Sequence, residues 1–264
     1  MRTEDYDRVA RVEQQNWWFE AKRLLTLRCL AGSGAERPSR VADVGCGTGA
    51  TAETLLAAGV ATVVALDASP EALAHTAAAH PRVTAVSAVA EALPVRDGAL
   101  DAVVSLDVIE HLDDDVAALS AYRRALRRDG RVVIAVPAYR WAWSDHDERL
   151  GHRRRYTARR LRRSLEAAGF RVERLSYFHS FLVPAVLVAR KTPLGRLLNA
   201  DGGAGSTGSA ADRVFRVLSR WERAILRIVR LPFGLSVMAV GINDAAGAGD
   251  VSPGEVATGA RARS

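Results

Sequence analysis

The segment Val41-Ala42-Asp43-Val44-Gly45-Cys46-Gly47-Thr48-Gly49-Ala50 constrains this chain most, because a short apolar strand runs straight into glycine at every second position. Alternating glycines strip the Cβ atoms from a strand-to-helix turn, so a ligand can lie against bare backbone and meet main-chain N–H groups at the next helix start. The turn satisfies both G-x-G-x-x-A and G-x-G-x-G, so on its own it accommodates a dinucleotide or another adenosine-bearing cofactor. Asp67 ends the following apolar run, Thr62–Leu66, where a carboxylate can accept both hydroxyls of a ribose. That too fits either cofactor.

Around the glycine turn the chain alternates between strand and helix patterns. Strands are predicted at Arg40–Val44, Thr62–Leu66, Val83–Ser87, Asp101–Leu106, Arg131–Val136, Arg171–Tyr177 and Leu235–Ile242, with helices over 50–58, 70–79, 114–127 and 157–168. Asp129-Gly130 and Gly169 read as helix stops before strands. The alternation implies an α/β fold with a doubly wound, mostly parallel sheet. Ahead of it, Tyr6–Leu30 reads as a helix carrying Trp17-Trp18-Phe19, stopped at Gly32-Ser33-Gly34. Beyond Phe181 the pattern changes to an apolar stretch with Pro184, a Gly/Ser/Ala linker over 200–211 and a second helix. The expected organisation is an N-terminal helical segment over 1–36, a cofactor-binding core over 37–180, a helical insertion over 181–232, a final strand over 233–243 and a disordered tail over 244–264.

No run of about 18 uncharged apolar residues suggests a spanning helix, and Met1–Arg11 lacks a signal-peptide core. A cytoplasmic location is therefore expected. Cys29 and Cys46 are the two cysteines, which leaves no disulfide framework and no zinc-ligand spacing. Charge is segregated: residues 149–230 hold 19 Arg/Lys against 5 Asp/Glu, while the remainder holds 18 against 25. Such asymmetry points to an acidic substrate, a phosphate-bearing partner or an anionic membrane surface. Within it, Arg213, Arg216, Arg220, Arg223, Arg227 and Arg230 form a stripe opposite Val214, Val217, Trp221, Ile225 and Ile228. A helix over 212–231 of that kind either lies on an anionic bilayer, leaving the protein peripheral at the membrane's inner face, or packs on the core with its arginines in water.

Three further stretches discriminate between cofactors: Ala90-Glu91-Ala92-Leu93-Pro94, Asp101-Ala102-Val103-Val104-Ser105-Leu106-Asp107 and Val108-Ile109-Glu110-His111-Leu112. With Asp43–Gly49 they make residues 40–180 resemble the class I S-adenosylmethionine-dependent methyltransferases, in the branch with D-V-G-C-G-T-G, E-A-L-P and D-V-x-E-H-L. The resemblance implies a Rossmann-like sheet of seven strands, the last antiparallel, with S-adenosylmethionine across the first strands' C-terminal ends. It further implies that Asp43, Gly45, Cys46, Gly47 and Gly49 hold the methionine moiety, Asp67 and Ala68 the ribose, and Ala90 and Glu91 the adenine edge. Asp107 closes the site beneath the methionine end. Relatives usually carry an Asp before the Ala-Glu pair, where this chain has Val89, so one adenine contact is expected to be weaker.

Methyl transfer from a sulfonium gains most from positioning and dehydration, and a hydroxyl acceptor gains further from a base. Histidine suits that work near neutral pH, and His111, His146 and His152 together with Asp107 are the candidate catalytic residues. The loop after the fifth strand, Pro137–Thr157, crowds aromatics and acid/base groups where an open sheet binds ligands. Tyr139, Trp143, His146, Asp147, Arg155 and Tyr156 are its candidate substrate residues, although the aromatics could equally anchor the loop while Arg153–Arg155 face water. The resemblance extends to a bacterial subgroup with W-S-x-H-D before G-H-R-R-R-Y. Asp113-Asp114-Asp115 reads as a helix start favoured by the helix dipole, so no metal is expected.

The expected activity is methylation of an oxygen or carbon of a small or lipid-linked, acidic metabolite. An NAD-dependent oxidoreductase is the alternative that the glycines and Asp67 permit, yet no Tyr-x-x-x-Lys pair accompanies them. Nucleic acid is a poor partner, because the arginines alternate with apolar residues and Ser105-Leu106-Asp107-Val108 stands where base methyltransferases carry an N-P-P-[YF] type motif.

Overall fold

A computed structural model describes residues 10–31, 38–191 and 210–244. All seven predicted strands form: β1 (Arg40–Val44), β2 (Thr62–Asp67), β3 (Thr84–Ser87), β4 (Leu100–Leu106), β5 (Leu126–Pro137), β6 (Arg171–Phe178) and β7 (Ser236–Ile242). They make one sheet in the order β3-β2-β1-β4-β5-β7-β6, with β7 antiparallel to both of its neighbours and the other pairs parallel. The described helices are α1 (Trp17–Ala31), α2 (Ala50–Ala57), α3 (Pro70–Ala79), α4 (Asp115–Ala125), α5 (Asp145–Arg149), α6 (Ala158–Ala167), α7 (Val183–Lys191) and α8 (Ala210–Ile225). The order reverses between β1 and β4, so the connections leave for opposite faces there and open a crevice at the strands' C-terminal ends.

Both sheet faces are buried, which explains why the strands read as continuous apolar runs. Val132, Ile134, Val136, Val237 and Ala239 face one core, with Tyr122 of α4 and Leu161 and Leu165 of α6. The alternate residues Val133, Ala135, Met238 and Val240 face the other, with Leu25 of α1 and Leu55 of α2. Each fully buried Leu or Ile contributes about 1.5–3 kcal/mol of transfer free energy.

Two boundaries differ from the sequence expectation. The helix predicted over 114–127 stops at Ala125, and 126–130 joins β5 through a register shift instead of ending a helix at Asp129-Gly130. The cause lies far along the chain: the Asn243 amide donates to the carbonyls of Leu126 (2.8 Å) and Arg127 (3.1 Å), while Asp129 N–H donates to the Asn243 carbonyl (3.0 Å). The N-terminal helix is likewise broken at Asn16, whose Oδ1 accepts from the Trp18 N–H at 2.8 Å and so caps α1. Of the expected linker, only 210–211 fall among the described residues, where they open α8, and the tail beyond Asp244 lies outside them.

Helix α8 docks through its polar line. Asp212, Ser219, Glu222 and Leu226 are buried, and Glu222 accepts from the N–H groups of His179 and Ser180 at 2.7 Å each. Arg216 pairs with Asp212 and Glu20, Arg223 donates to Ser219 and Arg230 to the Glu173 carbonyl, so three of the six arginines bond the protein. The apolar residues Val214, Val217, Trp221, Ile225 and Ile228 are left on the surface. Among the described residues no helix is long and apolar enough to cross a membrane.

Candidate active site

The glycine turn is held open by its neighbours at the C-terminal ends of β1 and β2. The N–H groups of Gly45 and Cys46 both donate to the Leu66 carbonyl (2.7 and 3.1 Å), the Gly47 N–H donates to Asp67 Oδ2 (3.0 Å), and the Thr76 hydroxyl donates to the Gly47 carbonyl (3.0 Å). Gly45 has φ +70° and an added Cβ would sit 2.3 Å from Val108 Cγ2, so no other residue fits. Gly47, at φ +53°, faces open space with only a Glu13 oxygen at 3.9 Å. A ligand therefore meets the loop at Gly47.

Carboxylates surround this loop. Asp43 is buried beneath α2, where it accepts from the Ala52 N–H, and its Oδ2 has no partner. Burial, reinforced by Glu13 and then Asp67, pushes its pKa up to about 7. Glu13 bonds the Thr48 hydroxyl, and burial raises its pKa as well. This charge distribution decides between cofactors: a pyrophosphate needs helix N-terminal N–H groups and a positive potential, whereas here Asp43 takes an N–H of α2 and three carboxylates crowd the loop. Cationic ammonium and sulfonium groups suit it.

On the other side of the crevice, β4 is followed by Asp107 in a left-handed conformation, φ +55°, fixed by its N–H donating to the Ala135 carbonyl at 2.8 Å. Asp107 pairs with Lys22 of α1, which is buried beside the rings of Trp18 and Phe19. The next turn brings Glu110, fully buried with neither carboxylate oxygen bonded, and His111. Burial, then Asp107, holds the Glu110 carboxyl well above its ordinary pKa, and burial, then His152, lowers that of His111.

The loop after β5 is tied over this turn. Its base closes where Tyr139 N–H donates to the Tyr156 carbonyl (2.8 Å) and Tyr156 N–H to the Pro137 carbonyl (2.9 Å). Asp147, with no exposed surface, accepts from Arg155 twice (2.7 and 2.9 Å), from Ser144 N–H (2.9 Å) and from the His152 ring Nδ1 (2.8 Å). Burial alone would raise the Asp147 carboxyl, but His152 and Arg155 hold it far below the usual range. Arg153 and Arg154 do not simply face water: Arg153 Nε donates to the His111 carbonyl (2.9 Å) and Arg154 to the Leu112 carbonyl (2.6 Å). The result brings the His111 and His152 rings to 4.7 Å, nearly perpendicular.

A methyltransferase domain family matches residues 42–134. The chain is 35% identical over 169 residues to a probable S-adenosylmethionine-dependent methyltransferase of Mycolicibacterium smegmatis, an overlap covering 63% of this chain and 64% of that one. It is 33% identical over 135 residues to the malonyl-[acyl-carrier protein] O-methyltransferase of Pseudescherichia vulneris, covering 49% and 53%. The chain thus spans less than two thirds of these relatives' lengths. A methyltransferase solved with its activator from Haloferax volcanii shares the fold, with a TM-score of 0.61 at 20% identity over 90% of this chain and 94% of that one. The fold is that of the Rossmann-like methyltransferases, and residues 42–134 are similar to a methyltransferase domain. The unpartnered Asp43 oxygen, the open face of Gly47 and the free lone pairs of Asp67 fit S-adenosylmethionine.

Within this fold the predicted site residues separate. Asp43, Gly45, Cys46, Gly47, Gly49, Asp67, Ala68 and Asp107 gather at the C-terminal ends of β1, β2 and β4, with Ala90 and the exposed Glu91 in the turn after β3. His111 and His152 meet, whereas His146 is exposed on α5, outside that pair. Tyr156 cannot touch a substrate as expected, because it is fully buried with its hydroxyl donating to Asp115 at 2.7 Å. Asp147 and Arg155, both expected at the substrate, are engaged with each other. Tyr139 stacks between Trp141 and Tyr177, centroids 5.6 and 5.1 Å away, and the Trp143 indole donates to Glu148 at 3.4 Å. Trp17 and Trp18 pack on His179. Sequence reasoning missed Glu13, Lys22 and Glu110. One signal was legible: Lys22 is one of two lysines in a chain that otherwise uses arginine.

Proposed function

We propose that the protein transfers the methyl group of S-adenosylmethionine to an oxygen or carbon of an acidic small-molecule or lipid-linked metabolite. The observation that carries this is the placement, at the C-terminal ends of the central strands, of a carboxylate-ringed glycine loop beside the His111–His152 pair. The bound cofactor supplies a methyl group on positively charged sulfur, which keeps the C–S electron pair as the acceptor's lone pair takes the carbon. Asp43 and Asp67 hold the donor's ammonium and ribose, and Glu13, Lys22 and Trp18 cover it from the N-terminal side. His111, kept neutral near pH 7 by its lowered pKa, and His152, oriented through Asp147, face the acceptor and activate its hydroxyl. The O-methyltransferase among the relatives supports an oxygen acceptor.

Calorimetric titration with S-adenosylhomocysteine tests the donor site. We expect saturable 1:1 binding whose affinity is flat above pH 7 and falls below it, approaching tenfold per pH unit. The sign follows from Asp43: its pKa of about 7 leaves it largely protonated at pH 6, and binding an ammonium must first expel that proton. No binding by folded protein overturns the proposal.

A membrane-facing role for 212–231 draws support from α8, whose docking leaves Trp221 68% and Ile228 92% exposed. Arg213, Arg220 and Arg227 are exposed beside them, an arrangement suited to an anionic bilayer carrying a lipid-linked acceptor. Wild type is expected to float with anionic phospholipid vesicles at low salt, and a Trp221→Ser/Ile228→Ser variant to remain behind. Absence of wild-type flotation overturns this role.

A further inference from the structure

The sequence offered Asp113–Asp115 as a cation-binding run and discounted it as a helix start. The fold agrees with the discount, since Asp114 accepts from the N–H groups of Val116 and Ala117 at 3.0 and 2.9 Å, and Asp115 bonds Tyr156 and Ser164. A different set of donors converges nearby. One nitrogen each of His111 and His152 and one oxygen of Glu110 all lie within 4.8 Å of one another.

From this convergence we infer that Glu110, His111 and His152 form a divalent-cation site, for an ion such as Zn²⁺, Mn²⁺ or Co²⁺, on the acceptor side of the methyl-transfer centre. Two imidazoles and a carboxylate suit such ions. Three independent features support it. First, Glu110 is completely buried with both oxygens unpartnered, a placement whose cost only a proton or a cation relieves. The cations nearest it are committed elsewhere: Lys22 to Asp107, and Arg155 to Asp147 and the Ala138 carbonyl. Second, His152 has one ring nitrogen occupied from behind. His152 Nδ1 is on Asp147, which leaves the opposite nitrogen of that ring for a ligand. Carboxylate or carbonyl partners behind a ligating histidine are the usual support of a metal site. Third, the donors come from two rigidly joined turns: Arg153 N–H donates to the Glu110 carbonyl at 2.8 Å, and its guanidinium to the His111 carbonyl. Ligands about 2.1 Å from a tetrahedral ion stand about 3.4 Å apart, so modest side-chain rotations close the triad.

With Glu110 ionised the three donors carry one negative charge, so a bound ion leaves a net positive centre beside Asp107. Such a centre attracts an acidic acceptor and lowers the pKa of a hydroxyl placed on it, so that the two imidazoles activate the hydroxyl through the ion they hold and not as free bases. That catalytic role rests on the methyltransferase proposal. The ion site itself does not.

Titration of chelator-treated protein with Co²⁺, read by its visible absorption, tests the site without cofactor or acceptor. We expect one equivalent to bind, with affinity reduced at least about 100-fold in Glu110→Gln and in His111→Gln. Circular dichroism establishes that the variants fold, and two substitutions keep the test decisive if one of them does not. Absence of a stoichiometric site in wild type, or unchanged affinity in a folded Glu110→Gln, overturns the inference. S-adenosylhomocysteine titration of the same metal-free sample separates the two proposals: loss of that binding removes the methyl-transfer role and leaves the Co²⁺ result standing.

Discussion

Asp67→Ala is expected to abolish measurable binding of S-adenosylhomocysteine while leaving the protein folded. Each Asp67 oxygen already accepts one backbone N–H, Oδ2 from Gly47 at 3.0 Å and Oδ1 from Ser69 at 2.9 Å. A carboxylate oxygen accepts twice, so one lone pair of each remains for a ribose hydroxyl. Hydrogen bonds to charged groups contribute about 1.5–3 kcal/mol each. Losing two therefore weakens binding by about 10²- to 10⁴-fold, and the freed Gly47 N–H loosens the loop further. Asp67→Asn, which keeps one acceptor, should fall between. His146→Ala is the control: it stands outside the glycine loop and should bind S-adenosylhomocysteine as wild type does. Equal loss in both variants would show that the ribose is not on Asp67.

The sheet was legible in the sequence because both of its faces are buried. Strand-length runs such as Val132–Val136 announce themselves without alternation, and Asp67 and Asp107 could be placed at strand ends from the runs alone. What escaped depended on partners distant in sequence. Nothing near Ala125 signals that Asn243 will end α4, since the amide arrives from the far end of the chain. Tyr156 sits in an aromatic, basic loop with the composition of a substrate pocket, yet its hydroxyl is claimed by Asp115. The arginine stripe illustrates the same limit. Periodicity separated the arginines from the apolar residues, but it could not foresee that the protein would bind the helix by Asp212, Ser219 and Glu222 and leave the apolar face outward with Arg213, Arg220 and Arg227 exposed beside it. Glu110 lay inside a recognised stretch, and only burial without a partner set it apart.

Asp147→Ala is expected to cost about 3–5 kcal/mol of stability, the range for breaking a buried ion pair by removing one partner. For a domain of this size that lowers Tm by roughly 10 °C. The reason is what the alanine abandons: Arg155, 12% exposed at its side chain, keeps a charge with no compensating carboxylate, and Ser144 N–H and His152 Nδ1 lose their acceptor together. If stranded charge dominates, Asp147→Ala/Arg155→Met should recover a large part of the lost stability, and the double-mutant cycle will give a coupling of a few kcal/mol. Additive effects would mean that packing, not the ion pair, holds the loop. The site should record the same substitution differently, because the Asp147–His152 bond fixes which ring nitrogen faces the crevice and Arg155 cannot replace it. The double variant is therefore expected to regain its Tm without regaining the ordered His152 ring, a separation that ¹⁵N chemical shifts of the imidazole would reveal. Stability of the loop and orientation of the histidine share one carboxylate, so only the first can be restored by deleting a charge.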